Sequence, residues 1–307
     1  MGSTLSWLPA RRTCGCPPGK LNCLTRREMG MLGSTVLHVS SRYRWKERHK
    51  ARFIPDLPAR YIKLFSHAGE TVLDPFSGSG TTNVVAKELG RNSVGFDVNP
   101  RSVEMARARL EETEGPPGTR HDVLLDDSRR ALARIPRGGV DLIVTSPPYY
   151  DVVDYEHDAP EQLGNYHDYG AFIEGITRVF EGCDRVLKPG GVMVVNTQDI
   201  YKRDLSGAIH VDYIERCRDL GLTLMNINIY ILNYSTGGRL VWGYPKAYYP
   251  KNDHEFNLLF RKAPAEAPLP RAQTPALATA RAARARRAAP PPRPPHRVSA
   301  QRRSRSV

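Results

Sequence analysis

Seven short apolar runs recur along the 307-residue chain, most of them set apart by a stretch of helical periodicity. ETVLDPF, NSVGFDV, HDVLL, VDLIVTS and VMVVNTQD come first, and LTLMNINIYIL and HEFNLLF close the series. The helical stretches are IPDLPARYIKLFS, TTNVVAKELG, PRSVEMARARLEE, SRRALARI, YGAFIEGITRVFEGCDRVLKPGG and AIHVDYIERCRDLGL. Short apolar strands alternating with crossover helices form a parallel sheet with helices on both faces. The pattern therefore predicts an α/β fold: a Rossmann-like, doubly wound, mostly parallel seven-stranded sheet. Its last two strands, joined without a clear helix, are expected to pair antiparallel at one edge. In such sheets ligands sit at the carboxyl ends of the strands, near the point where strand order reverses.

Charge divides the chain further. The formal net charge is +13. Residues 1–50 hold ten Lys and Arg against two acids, and residues 263–307 hold ten Arg against Glu266, leaving the body from 51 to 262 at −4. The basicity belongs to the ends, where it suits phosphate neutralisation or a solvated tail. The Pro, Ala and Arg composition of 263–307, with PPPRPP inside it, cannot bury enough apolar surface to offset ordering. The expected organisation is a poorly ordered extension (1–40), a catalytic domain (41–262) and a disordered tail (263–307). No apolar run approaches the ~20 residues that span a bilayer, and the arginine-bearing N-terminus has no apolar signal core. A cytoplasmic protein without membrane contact is expected. Cys14, Cys16 and Cys23 cluster near the start, but with no His close in sequence they form an incomplete zinc set, and no metal is expected.

Three strand ends carry acids or glycines. In DPFSGSGTT, Asp74 ends the first strand, and Gly78 and Gly80 allow close backbone approach and a turn into the next helix. The lysine of a phosphate-binding P-loop is missing, so a nucleotide triphosphate does not fit. Asp74 instead suits a cationic ligand group. Asp97, about 20 residues past the glycine loop, stands where an acid accepts hydrogen bonds from ribose hydroxyls. Asp127 follows the third strand and either reaches an adenine amino group or, with Ser128, caps the next helix. A glycine loop, a ribose acid and an adenine acid in this order fit an adenosine cofactor without phosphates, and S-adenosyl-L-methionine meets that description.

The fourth strand ends in Thr145-Ser146-Pro147-Pro148-Tyr149. Two prolines lock this corner. The Ser146 hydroxyl and the Pro147 carbonyl can then both accept from one exocyclic amino group, and Tyr149 offers a face on which a flat base stacks, worth ~1–3 kcal/mol. In a doubly wound sheet the fourth strand neighbours the first, so this corner is expected to face the glycine turn.

DPFSGSGTT, GFDVNP, TSPPYYD and RVLKPGG resemble the motifs of the DNA amino-methyltransferases, which modify N4 of cytosine or N6 of adenine. The resemblance spans roughly residues 45 to 262. It implies that Asp74, Phe76, Gly78 and Gly80 line an S-adenosyl-L-methionine site, that Asp97 binds its ribose, that Phe53 and Pro55 pack at its methionine end, and that Ser146, Pro147, Pro148 and Tyr149 form the catalytic tetrapeptide; Pro75, Thr81 and Asp127 are expected at the same cofactor site. Ser at the first tetrapeptide position is commonest in the cytosine-N4 enzymes. DNA is the implied partner, with a cognate restriction endonuclease as a further one. The cofactor half precedes the catalytic half, which reads as a circular permutation. N6-adenine methylation, RNA amino-methylation and a non-catalytic DNA-binding role stay open. Local basic spots at Arg42, Arg44, Lys46, Arg48, Lys50 and Lys246, and the aromatic loop 233–253, are expected to meet nucleic acid.

Overall fold

Strands buried on both faces build the centre of the sheet. The computed structural model describes residues 5, 8, 11–38, 53–150, 160–202, 205–231, 241–242, 249–250 and 253–265. The expected basic spots, most of the aromatic loop and the tail beyond 265 lie outside the described residues. In chain order the elements are α1 (Arg26–Met31), β1 (Val36–His38), α2 (Asp56–Phe65), β2 (Thr71–Asp74), α3 (Thr81–Glu88), β3 (Asn92–Asp97), α4 (Pro100–Glu112), β4 (His121–Leu125), α5 (Ser128–Ala131) and β5 (Val140–Thr145). They continue with α6 (Tyr169–Val186), β6 (Leu187–Thr197), β7 (Ile200–Lys202), β8 (Leu205–Gly207), α7 (Ile209–Asp219), β9 (Thr223–Ile231), β10 (Val241–Trp242), β11 (Tyr249–Pro250) and β12 (His254–Arg261).

The main sheet has eight strands in the order β1-β9-β12-β6-β5-β2-β3-β4. Its run from β6 to β4 is parallel throughout. β12 pairs antiparallel with both β6 and β9. The doubly wound, mostly parallel α/β class stands, with two differences in detail. The strand count is eight rather than seven, because β1 adds in parallel to β9. The antiparallel pair β9–β12 is consequently covered at its outer side instead of forming the edge.

Side chains alternate between two cores. Leu73, Ile143, Met193, Val195, Leu258 and Phe260 point into the layer covered by α6 and α7. Val72, Leu142, Val144, Val192, Val194 and Leu259 point into the layer covered by α2 and α3. The period of two is the strand periodicity, and burial on both faces is what a central parallel strand requires. β5 breaks its own alternation once. A register shift between Val140 and Leu142 puts Val140 on the same face as Ile143. Among the described residues no helix is long and apolar enough to cross a membrane.

The expectation of a poorly ordered N-terminal extension needs correction over residues 11–38. α1 opens with a capping box between Thr25 and Glu28, β1 joins the sheet, and Leu24, Met29, Leu32 and Leu37 pack on the core that α2 covers. These apolar residues are too sparse to show a helical or strand period over so short a stretch. Their role follows from the surface they land on.

Candidate active site at the carboxyl ends of β2, β3 and β5

Because β5 lies directly beside β2, the two sequence features at their ends come together. Asp74, the last residue of β2, is 2% exposed. Its Oδ1 accepts from Thr145 Oγ1 at 2.7 Å and from the Phe76 amide at 3.1 Å, and its Oδ2 accepts from Thr82 Oγ1 at 2.7 Å. Burial raises its pKa to about 6, against the opposing pull of Thr82, Thr145 and Phe76 and with a push from the Asp97 charge. The carboxylate, expected to face a cationic ligand, is held by three protein donors and braces the turn against β5.

The two glycines of the turn do different work. Gly78 has φ +51°, and a Cβ built there would meet nothing within 4 Å, so its outer face is open. Gly80 has φ +78°, and a Cβ there would come within 2.6 Å of Ala106 Cβ on α4. Gly78 leaves the space beside the turn open, whereas Gly80 lets α3 start hard against α4. Thr81, the first residue of α3, is buried, and its Oγ1 accepts from Arg109 Nη1 at 3.2 Å. Pro75 is buried, and its carbonyl accepts from Ser128 Oγ. Phe76 is half-buried against the core. Phe53 and Pro55 lie just ahead of α2, Phe53 packing on the core beneath β2 and β5.

Asp97 ends β3 next to this turn. Its Oδ2 accepts from the Gly78 amide and its Oδ1 from the Asn99 amide, each at 2.8 Å. The acid proposed for ribose is therefore directly tied to the open glycine. Asp127 is the N-cap of α5, accepting from the Arg129 amide at 2.9 Å, and it pairs with the Arg129 guanidinium at 2.8 Å. Gly95 in β3 escaped the sequence reading. A Cβ there would come within 2.6 Å of Ser77 Oγ and 2.8 Å of Asn83 Oδ1, so only glycine lets the DPFSGSG turn cross β3 this closely. Its lone place inside a strand was the available signal.

At the β5 end, Pro147 is buried and Pro148 and Tyr149 are half-buried. Ser146 Oγ lies 3.1 Å from Asn196 Oδ1 on β6. Asn196 Nδ2 lies 3.0 Å from Glu255 Oε2 and 3.3 Å from Asn257 Oδ1 on β12. Tyr149 OH donates to Glu255 Oε1 at 3.1 Å. An ionised carboxylate only accepts, so Glu255 takes one Asn196 amide hydrogen while Asn257 Oδ1 takes the other, which turns Asn196 Oδ1 toward Ser146. The Ser146 hydroxyl then donates to Asn196 and presents its lone pairs outward. Burial raises the Glu255 pKa, opposed by Asn196 and Tyr149. Asn196 and Glu255 were missed because neither belongs to a motif. The β6–β12 register brings them beside the corner, with Asn196 opposite Asn257.

Away from this site, the expectation of an incomplete thiol set is also corrected. Cys14, Cys16 and Cys23 are joined by His67, which closes the set from 44 residues beyond Cys23.

The fold and this site define a doubly wound α/β protein in which a glycine turn and a proline-locked polar corner meet across two adjacent parallel strands. The chain belongs to the DNA methylase family: the family model N6_N4_Mtase matches residues 26–108 and 140–301. It is 51% identical over 53 residues to the Type II methyltransferase M.MjaI of Methanocaldococcus jannaschii, covering 17% of this chain and 18% of that protein. It is 36% identical over 90 residues to the Type II methyltransferase M.BglI of Bacillus subtilis, covering 29% of this chain and 26% of that one. The matches thus span about a quarter or less of these relatives' own length. Among solved structures, the putative DNA modification methylase TTHA0409 of Thermus thermophilus, complexed with S-adenosyl-L-methionine, is 33% identical, with 46% of this chain and 55% of that chain covered at a TM-score of 0.35.

Proposed function

We propose that this protein is a DNA methyltransferase that transfers a methyl group from S-adenosyl-L-methionine to the exocyclic N4 amino group of cytosine. The observation that carries the reading is the Thr145–Asp74 hydrogen bond of 2.7 Å, which ties the proline corner to the glycine turn. Membership of the DNA methylase family supports the reaction class. The residues present fit the cofactor: Gly78 leaves open the space a Cβ would fill, and Asp97 stands one hydrogen bond away as a ribose acceptor.

When bound, the cofactor supplies a methyl group already activated on a sulfonium. The chain's own residues hold the acceptor. Ser146, turned outward by Asn196, and the Pro147 carbonyl accept the two hydrogens of one amino group. That draws its lone pair out of conjugation and aims it at the methyl. The Tyr149 ring, anchored through its hydroxyl to Glu255, offers a stacking face to an extruded base. No strong base is required, because alignment for in-line attack supplies much of the rate. A base within a duplex must first be flipped out, at a cost of a few kcal/mol. The catalytic unit spans 41–262, with the cofactor half leading in a circularly permuted order that keeps β2 and β5 adjacent. DNA is the macromolecular partner, a cognate restriction endonuclease is a second, and the cytoplasm is the site of action.

Incubation with DNA and methyl-labelled cofactor, followed by digestion to nucleosides, tests the reading. N4-methylcytosine is expected. N6-methyladenine would overturn the target base while keeping the class, and unlabelled DNA would overturn the class.

A further inference from the structure

Three thiols and one imidazole converge where the N-terminal segment crosses the turn between α2 and β2. The ligand atoms of Cys14, Cys16, Cys23 and His67 all lie within 4.8 Å of one another. His67 Nδ1 is 3.3 Å from Cys14 Sγ and 3.6 Å from Cys23 Sγ. A tetrahedral zinc site, with Zn–S near 2.3 Å and Zn–N near 2.0–2.1 Å, has S···N edges of roughly 3.6 Å. The Cys23 edge equals it and the Cys14 edge, at 3.3 Å, is slightly shorter. All five cysteines of the chain are free thiols, so no disulfide accounts for the cluster.

The surroundings are those of a metal centre. His67 is fully buried. Its Nε2 donates to the Lys20 carbonyl at 2.8 Å, which fixes the tautomer and leaves the Nδ1 lone pair facing the thiols. The Ala68 amide donates to Cys23 Sγ at 3.5 Å. Asn22, 2% exposed, fixes the loop before Cys23 by donating to the Leu64 carbonyl at 2.7 Å and accepting from the Leu24 amide at 2.9 Å. The Thr13 amide donates to the Ala68 carbonyl at 2.9 Å and lays the Cys14 segment over the His67 turn. Gly69 permits that crossing. It has φ +81°, and a Cβ there would stand 2.5 Å from the Arg11 carbonyl. Three thiolates and one divalent ion leave a charge of −1. The buried Arg91, anchored on Ser66 at 3.1 and 2.9 Å, lies within electrostatic reach of Cys23 and Cys14 to offset it.

We propose that Cys14, Cys16, Cys23 and His67 bind one zinc ion in a closed, four-coordinate structural site. Its ligand set leaves no open position, so the ion takes no part in methyl transfer. It clamps residues 11–33 to the start of β2, and with them α1 and the apolar residues that cover the α2 side of the sheet. The proposal is independent of which base is methylated, or whether any is.

The test is metal analysis of the full chain, purified under reducing conditions without a histidine tag. One zinc per chain is expected by mass spectrometric metal analysis, and replacement by Co2+ should produce the intense visible bands of a tetrahedral thiolate site. Cys23→Ser and His67→Gln should lower zinc affinity by more than the ~10–100-fold that loss of an outer-shell partner costs. Cys183→Ser, on the far core, should leave it unchanged. A wild-type chain that is folded but zinc-free, gives no tetrahedral Co2+ spectrum, and has Cys14, Cys16 and Cys23 freely reactive to a thiol reagent overturns the proposal. The wild-type measurement decides even if a ligand variant fails to fold.

Discussion

Thr145 Oγ1 donates to Asp74 Oδ1 across 2.7 Å, joining the last residue of β5 to the last residue of β2. Both side chains are buried, so the bond is made without competition from water. It holds a glycine turn and a proline corner, 71 residues apart in the chain, in one arrangement. Thr145→Val keeps the shape and removes the donor. A buried carboxylate that loses a donor costs about 1–3 kcal/mol. Urea unfolding should show that loss, and Thr145→Ser should restore most of it.

The raised pKa of Asp74 gives a pH dependence of definite sign. The native state holds the proton more tightly than the unfolded chain, whose Asp titrates near 3.8. The protonated group's contribution is therefore present at low pH and lost as pH rises from about 4 to about 6. The rise from 3.8 to about 6 corresponds to roughly 3 kcal/mol. Asp74→Asn keeps polar contacts with Thr82 and Thr145, whose hydroxyls can rotate, but cannot ionise. The stability of the variant relative to wild type should rise by up to that amount between pH 4 and pH 7. A difference between the two proteins that stays flat over this range would show that burial does not perturb the carboxylate.

Gly78 and Gly80 should respond differently to alanine. Both hold a left-handed backbone, which costs a side chain about 1–2 kcal/mol. At Gly78 that is the whole penalty, and the new methyl enters the open ligand space, so cofactor affinity should fall more than stability. At Gly80 the methyl also meets Ala106 at 2.6 Å, and overpacking adds about 1–3 kcal/mol. Denaturation and calorimetric titration with S-adenosyl-L-methionine separate the two effects. Equal losses of stability would contradict the division of labour.

Glu255→Gln should weaken catalysis without weakening cofactor binding. The glutamine amide can donate where the carboxylate only accepted, so Asn196 no longer has to present its oxygen to Ser146. The Ser146 lone pairs then lose their fixed direction. One net hydrogen bond of about 0.5–1.5 kcal/mol corresponds to roughly a 2–10-fold fall in kcat/KM. Steady-state kinetics beside a cofactor titration reads this split, and an unchanged kcat/KM would remove Glu255 from the site.

Much of the frame could be read in the residue order. Each of the seven predicted strands is present, α2 begins beside Pro55, and α4 begins with Pro100 behind an Asn99 cap. The doubly wound class followed from alternation, and with it the adjacency of β2 and β5. The strand β1 was hidden because three residues, half-exposed or exposed, carry no measurable period. Asp127 was ambiguous between ligand and cap because both uses put an acid at the same position, and the structure shows the cap contact with Arg129.

What the sequence determined by itself was local: where backbone is extended or helical, and where Gly78, Gly80, Pro147 and Pro148 force the chain to turn. Those properties depend on sterics and periodicity within a few residues. Only the tertiary structure decided that Asp74 braces the turn from inside, that Asn196 and Glu255 orient Ser146, and that His67 completes a thiol set. Each depends on strand order and register, which bring together residues tens of positions apart and leave no imprint on either segment read singly.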